Sequence, residues 1–434
     1  MVTIAGISLL ILMGLMAIGV PLAFCFGGAL LFMNLVGGVA MKGMMIWGLQ
    51  QILSPVLLCA PLFIFAGGLM SESGIAKALL DFVDVFVGRI RGGLGVVAVV
   101  ACAVIGAITG SSFTGIAATS PIMVPRMVEK GYPRGYAAAL ITDASILGIL
   151  IPPSITMIIY GWVTETSILA CFLATVGPGL LITFLMSAVN VIWARKFPLV
   201  LDAPITGAEK RRQIVSKGWV ALPALMMPVI ILGGIYGGIM TPTEAAGVAA
   251  LYSVPVGFLI YRGLTFEKFL KVARDSAISI GSILFMIFIC LMLSQTYLMS
   301  RLPQAIVEVV FGLTQNRTVL LILINILLLF LGMIVNDITA IILVAPLLMP
   351  LIKAIGMDPV HFAAIVCVNL GVGGVTPPYA SVLYLGMRVG KVEFTDILKP
   401  AMIFVGVVYL PVLVITTYWP ALSLWLPQLL GYAK

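Results

Sequence analysis

Charge is the scarcest commodity in this sequence: Asp, Glu, Lys and Arg make up 9% of 434 residues, while 62% are hydrophobic. A soluble domain carries about a quarter charged residues, so that class is excluded and a polytopic membrane protein remains. A span takes roughly 20 apolar residues, which leaves room for about ten or more. Histidine is nearly absent, with His361 alone, so a serine or cysteine nucleophile has one candidate base in the whole chain. H-E-x-x-H, a Cys/His cluster for zinc and a G-x-x-x-x-G-K-[ST] nucleotide loop are all missing. The six cysteines (Cys25, Cys59, Cys102, Cys171, Cys290 and Cys367) sit in apolar runs without a C-x-x-C pair. They are small core residues, and no disulfide framework is expected. The first basic residue is Lys42, so the basic leader of a signal peptide is missing and the first helix is expected to be retained. A net charge of +8 suggests nucleic acid at first sight. The bias of Lys and Arg toward the cytoplasmic face of a membrane accounts for it better, and no nucleic-acid partner is expected.

What is present is a series of apolar segments, at about 3–18, 21–36, 45–70, 94–110, 113–127, 136–161 and 167–193. A polar stretch, "ARKFPLVLDAPITGAEKRRQIVSKG" (194–218), is the only long linker and nearly bisects the chain. The second half gives about 219–239, 243–261, 276–299, 318–335, 338–352, 361–386 and 397–419. Residues 77–91 and 302–313 mix charge and apolar residues, and read as amphipathic helices at the interface or ordinary loop helices. The halves resemble each other. Sliding 111–161 by 225 residues sets Pro121, Pro125, Pro152 and Pro153 on Pro346, Pro350, Pro377 and Pro378. Gly131, Gly148 and Gly161 then meet Gly356, Gly373 and Gly386, and Thr114 meets Thr339. A duplicated unit of about 220 residues follows: residues 1–193, a cytoplasmic linker at 194–218, and residues 219–434.

Topology decides how the units relate. With 94–127 and 318–352 entering and returning as hairpins, each half crosses an odd number of times, so the halves are inverted. With the N-terminus outside, the outer face keeps Lys42, Arg301, Arg317, Lys353 and Lys434, and the inner face collects the other 19 of the 24 Lys and Arg. The basic-inside rule therefore favours both termini outside. Full crossings instead of hairpins keep the same parity.

The spans at 136–161 and 361–386 each carry a double proline in mid-helix. Proline cannot donate an N–H and clashes with the carbonyl four residues back. Pro152 and Pro153 therefore free the carbonyls of Gly148 and Ile149, and Pro377 and Pro378 free those of Gly373 and Gly374. Bare carbonyls in hydrocarbon cost several kcal/mol each and persist only if protein, water or an ion satisfies them. Matched broken helices in inverted repeats mark secondary transporters, in which unwound carbonyls hold coupling ions. A single kink would read as structural. The polar partners lie at the hairpin tips, "TGSSFTG" (109–115) and "VNDITA" (335–340), where Ser111 and Ser112 align with Asn336 and Asp337. Hydroxyl and amide groups there supply oxygens, and the start of the returning helix supplies a positive dipole end. Packing by small residues is the competing explanation. Asp143 and Asp337 are the acids placed within spans, where acids are functional by default, although Asp143 also fits a helix end. Glu165 and Glu244 read as caps or interface charges, and His361 as structural.

At these residues the chain resembles the large, DctM-type membrane subunit of tripartite ATP-independent periplasmic (TRAP) transporters. The resemblance covers essentially the whole chain. It is carried by "GSS" (110–112), "LGILIPPSI" (147–155), "GGIMTPTEAAGVAALY" (237–252), "APLLMP" (345–350) and "TPP" (376–378). It implies an all-α polytopic fold of the ion-transporter type, with two inverted repeats, re-entrant hairpins, broken helices and an elevator-type transport domain. It also implies Na⁺-driven import of an organic acid anion across a bacterial inner membrane: a C4-dicarboxylate, a keto acid or a sialic acid. The implied partners are a small four-helix membrane subunit and a periplasmic substrate-binding protein. By motif match one Na⁺ site draws on Ser111, Ser112, Gly115, Gly148 and Pro152, and a second on Asn336, Asp337, Thr339, Gly373 and Thr376. Substrate contacts are expected at Ser112, Thr114, Pro153, Asn336 and Pro378. Where many relatives carry a small or hydroxyl residue near position 146, this chain has Ile146.

Two other classes compete. "GSSF" (110–113) fits the G-x-S-x of an intramembrane serine protease, but the hairpin topology puts His361 at the outer end of a different segment. Broken helices also serve channels, although pore folds seldom carry an inverted duplication in one chain.

Overall fold

The structure is a computed structural model and describes residues 1–200 and 206–432. Residues 201–205 of the expected linker, and Lys434 among the five outer charges, lie outside the described residues. The described residues form helices joined by turns, with no strand among them. Seven helices are long and apolar enough to cross a membrane, or nine if each of two bent pairs is one span.

Each half lays down the same series of helices. Ser112–Glu129 recurs 225 residues later as Asp337–Ala354. Arg134–Ala144 and Leu147–Leu150 together cover the positions that Pro359–Val375 covers in the second half. The half-helix Ile155–Val163 is matched by Ser381–Gly390, and Ile168–Trp193 by Phe394–Tyr418. The amphipathic stretches are helices as well, Ile75–Val87 and Leu302–Leu313. At the first hairpin tip Gly110 takes φ +63, a left-handed turn that favours glycine, and ends Gly93–Thr109. At both tips the residue before the returning helix, Ser111 or Asn336, has extended backbone, as an N-cap does.

The two broken helices run antiparallel. The Tyr160 hydroxyl, near the end of the first, donates to the Pro359 carbonyl at the start of the second, 2.8 Å away. In the mirror contact Arg134 Nε, at the start of the first, donates to the Gly390 carbonyl at the end of the second, 3.0 Å away. Duplicated elements that run antiparallel across a membrane are related by inversion. Small residues allow the close approach: Gly386 has no room for a Cβ against Thr142, and a Cβ on Gly390 would lie 2.9 Å from that of Ala138. The pair cross at Gly371, where a Cβ would lie 2.5 Å from Ile146 Cγ2. Ile146 is thus the knob that fills this crossing.

Three segments differ from the sequence reading. The apolar run at 45–70 is two helices, Met41–Ile52 and Cys59–Ser73, with Pro55 in the gap. Its counterpart Phe266–Met299 has no proline and runs unbroken for 34 residues. The polar linker is partly helical, since Gly207–Tyr236 starts twelve residues before the apolar stretch. Thr206 caps it by accepting from the Glu209 amide at 3.3 Å, and Ala, Glu, Lys, Arg and Gln are strong helix formers outside the bilayer too. A terminal helix, Ala421–Leu429, packs against Ile168–Trp193 with the Leu422 carbonyl over Gly177. Elsewhere single residues sit as read. Glu244 closes a capping box with Thr241, all six cysteines are buried free thiols, and buried His361 holds the Thr416 carbonyl 2.7 Å from Nε2.

Candidate functional site

Both hairpin tips and both helix breaks converge at the crossing of the broken helices. The first tip lies directly on the first break. A Cβ on Gly148 would sit 2.7 Å from the Ser111 carbonyl oxygen and 3.2 Å from the Ser112 nitrogen. Gly106 presses on the Cα of Gly148, and the Ile155 amide donates to the Gly110 carbonyl at 3.4 Å. The second half repeats the glycine contact but not the tip contact: Gly373 has no room for a Cβ against the backbone of Gly332, and that Cβ would lie 2.8 Å from the Met333 nitrogen, on the helix leading to the second tip. Only glycine permits such backbone-to-backbone contact.

Between the tips lies a small, partly open space of about 20 Å³. Its walls come from Ser112 and Phe113 of the first tip, Ile146 and Ile149 by the first break, Val335 and Asp337 of the second tip, and Gly374 and Ser381 by the second break. That volume holds a single water-sized particle, not an organic acid. Among the described residues no cluster of three or more His, Cys, Asp or Glu could bind a metal. The side-chain oxygens among its lining residues are the hydroxyls of Ser112 and Ser381 and the carboxylate of Asp337, set among apolar side chains and glycines; oxygens of this kind are hard ligands suited to a small cation.

The structure sorts the expected site residues. Ser112 and Asp337 face the cavity. Asn336 spends Oδ1 as a cap, accepting from the Ile338 amide at 3.0 Å, and Ser111 is the matching cap position without a side-chain bond. Gly115 faces Ser145, where a Cβ added to the glycine would lie 3.4 Å from that of the serine. Pro152 and Pro153 are buried, with the Pro153 carbonyl under Gly110. Thr376 donates its hydroxyl to the Val372 carbonyl at 2.7 Å. Thr114 and Thr339 turn from the cavity to neighbouring helices: Thr114 packs toward Gly67 on Cys59–Ser73, and Thr339 donates to Met286 Sδ on Phe266–Met299 at 3.2 Å. Pro378 and Tyr379 are exposed in a separate apolar cleft of about 770 Å³, walled by Val2–Ala17 and the second hairpin. Asp143 is fully buried and is not among the cavity walls, its backbone carbonyl accepting from Tyr409 at 2.6 Å and from the amide of the cavity-lining Ile146 at 3.1 Å, and its carboxyl oxygens unpartnered.

Not all of the freed carbonyls stay free. That of Ile149 accepts from Ser154 Oγ at 2.7 Å and from Cys367 Sγ at 3.1 Å. That of Gly373 accepts from the Thr376 amide at 3.0 Å, a tight turn that closes the helix end. Gly374 remains at the cavity. The sequence reading also overlooked Thr156 and Ser381. Thr156 Oγ1 donates to Asp337 Oδ2 at 3.0 Å, and Ser381 lines the cavity. The signal was available, because the same 225-residue slide that pairs the prolines sets Thr156 on Ser381.

With this geometry in place, known proteins provide a comparison. The profile of the family described as "Tripartite ATP-independent periplasmic transporter, DctM component" matches residues 9–422. The C4-dicarboxylate TRAP transporter large permease protein DctM of Pseudomonas aeruginosa is 37% identical, over 86% of this chain and 87% of that one. The sialic acid TRAP transporter large permease protein SiaM of Vibrio cholerae is 32% identical over 97% and 98%. The isethionate TRAP transporter permease protein DctMQ of Oleidesulfovibrio alaskensis is 32% identical over 94% of this chain and 64% of its own length. Among solved structures, the YdaH transporter of Alcanivorax borkumensis superposes with a TM-score of 0.61 at 15% identity, covering 87% of this chain and 88% of that one. MtrF of Neisseria gonorrhoeae gives 0.61 at 14%, covering 89% and 85%. At those identities the likeness is one of fold.

Proposed function

The chain belongs to the DctM family, the large permease subunits of tripartite ATP-independent periplasmic transporters, and we propose that it imports an organic acid anion on the energy of a Na⁺ gradient. It is a multi-pass permease and not an enzyme. The observation that carries the Na⁺ reading is the space of about 20 Å³ between the tips, to which Ser112, Asp337 and Ser381 bring side-chain oxygens. It is the right size for an unhydrated cation, and it is built from the elements that inverted-repeat transporters use for coupling ions. Ser112 with the first break and Asp337 with the second are the two proposed ion positions, on opposite tips of a space that by itself holds a single particle. A carboxylate repels an anionic substrate at close range in a medium of low dielectric, so Asp337 is assigned to the cation.

The relatives named above are described as carriers of a C4-dicarboxylate, a sialic acid and isethionate, which supports the anion reading, while others of similar identity are described as carriers of ectoine. The proposed partners are a small membrane subunit and a periplasmic binding protein that delivers the acid. The DctMQ relative, of which this chain spans 64%, has length left for a joined small subunit. The membrane is a bacterial inner membrane, with both termini on the periplasmic side by the distribution of basic residues. The hairpins and broken helices move together as the carrying unit, against the neighbouring helices contacted by Thr114 and Thr339. The test is uptake into liposomes holding the complete assembly. An imposed Na⁺ gradient drives accumulation without ATP; equal uptake in Na⁺-free buffer at the same pH would rule the reading out.

A further inference from the structure

The Thr156–Asp337 bond joins the two halves at the point where their ion positions meet. Thr156 is the second residue of the half-helix that follows the first break, and it is 1% exposed. Asp337 is the first residue of the helix returning from the second tip. Their hydrogen bond, 3.0 Å from Oγ1 to Oδ2, is therefore a link between one half's break and the other half's tip. A bond from a hydroxyl to a carboxylate is among the stronger kind. It fixes the carboxylate's rotation, because Oδ2 is committed to Thr156.

The two positions have counterparts, although no bond joins them among the described residues. The 225-residue shift carries Thr156 to Ser381 and takes Asp337 back to Ser112, and both of these line the small cavity. Two more contacts bind the same parts. Cys367 of the second broken helix donates to the Ile149 carbonyl at the first break, 3.1 Å away, and Tyr160, one turn beyond Thr156, holds the Pro359 carbonyl at 2.8 Å. The half-helix Ile155–Val163 is thus tied to the second half at both the tip and the start of its broken helix.

We propose that Thr156 is a positioning residue for the cation at the second tip, and that its bond to Asp337 makes cation binding at the two tips cooperative. A cation at Asp337 pulls on a carboxylate that is anchored to the helix following the first break, so occupancy at one tip sets the geometry of the other. This inference rests on the Na⁺ reading of the site. Thr156 is not itself among the residues that line the cavity and acts through Asp337.

The experiment compares Thr156→Val, which keeps shape and loses the hydroxyl, with Thr156→Ser, which restores it. Na⁺-driven uptake is measured in liposomes with the complete assembly across a range of Na⁺ concentrations. Thr156→Val is expected to raise the half-saturating Na⁺ concentration about tenfold and to bring the Hill coefficient for Na⁺ down toward 1, with uptake at saturating Na⁺ preserved. Thr156→Ser is expected to return both values to those of the parent. Loss of uptake at every Na⁺ concentration in Thr156→Val, uncorrected by Thr156→Ser, would mark a packing role and overturn the inference. So would Na⁺-dependent uptake with unchanged half-saturation and Hill coefficient. Uptake by the parent that ignores Na⁺ would instead overturn the Na⁺ reading itself, and this inference with it.

Discussion

The contact between the first tip and the first break can be tested by one methyl group. In Gly148→Ala the added Cβ would lie 2.7 Å from the Ser111 oxygen, 2.9 Å from the Ser111 carbonyl carbon and 3.2 Å from the Ser112 nitrogen. All three are backbone atoms, so no side chain can swing aside. Retreat in the other direction is blocked by Gly106, which presses on the Cα of Gly148. The tip must therefore back away by about 0.7 Å to reach ordinary contact. Overpacking of this kind costs about 1–3 kcal/mol, which amounts to roughly 5–150-fold in a binding constant if it falls on the ion-bound state. The cation at Ser112 loses its fit, because the hydroxyl moves with the tip while the carbonyls of the break stay. Half-saturation of uptake by Na⁺ is expected to rise within that range. The stabilisation that Na⁺ gives against heat in detergent, which follows from preferential binding to the folded state, should shrink in parallel. Gly281→Ala serves as the control: its Cβ meets nothing within 4 Å, and it lies in the long helix Phe266–Met299. There alanine improves helix stability slightly. Gly148→Ala with the parent's Na⁺ dependence and melting temperature would refute the close-packed tip, and with it the assignment of the first ion position.

Two further outcomes are expected. Asp337→Asn, which keeps the shape and removes the charge, should raise the half-saturating Na⁺ concentration while substrate capture by the binding protein stays unchanged; Ser112→Ala should act in the same direction but less, and an unaltered Na⁺ response in Asp337→Asn would make that acid structural. Single cysteines at 130 and 353, at the far ends of the two hairpins in a cysteine-free background, should react with an impermeant thiol reagent from opposite faces of the membrane, and reaction from the same face would contradict the inversion.

Much of this architecture was legible in the sequence because its causes are local. Low charge dictates burial in lipid, and a double proline breaks a helix whatever surrounds it. A duplication preserves spacing, so the prolines stay in register over 225 residues and the helices found at that spacing match, as Ser112–Glu129 and Asp337–Ala354 do. Capping was legible at Glu244 for the same reason, since its partner Thr241 is three residues away. Where the reading missed a boundary, a local signal had been outweighed by overall apolarity, as with Pro55 in the run at 45–70.

What only the tertiary structure decided is which polar groups are already engaged. A freed carbonyl at Ile149 looks bare in sequence, yet Ser154 and the distant Cys367 satisfy it. Thr339 has the composition of an ion ligand but turns to Met286, because a helix presents residues two apart to different sides. The bond from Thr156 to Asp337 spans 181 residues. The slide marks Thr156 and Ser381 as equivalent positions, but not which partner each meets across the interface. That follows from the crossing of the broken helices at Ile146 and Gly371, a matter of how two surfaces fit. Sequence thus determined the elements and their duplication, through backbone chemistry that acts within a few residues. The ion-sized space is a property of four segments brought together, and packing alone set its size and its oxygens.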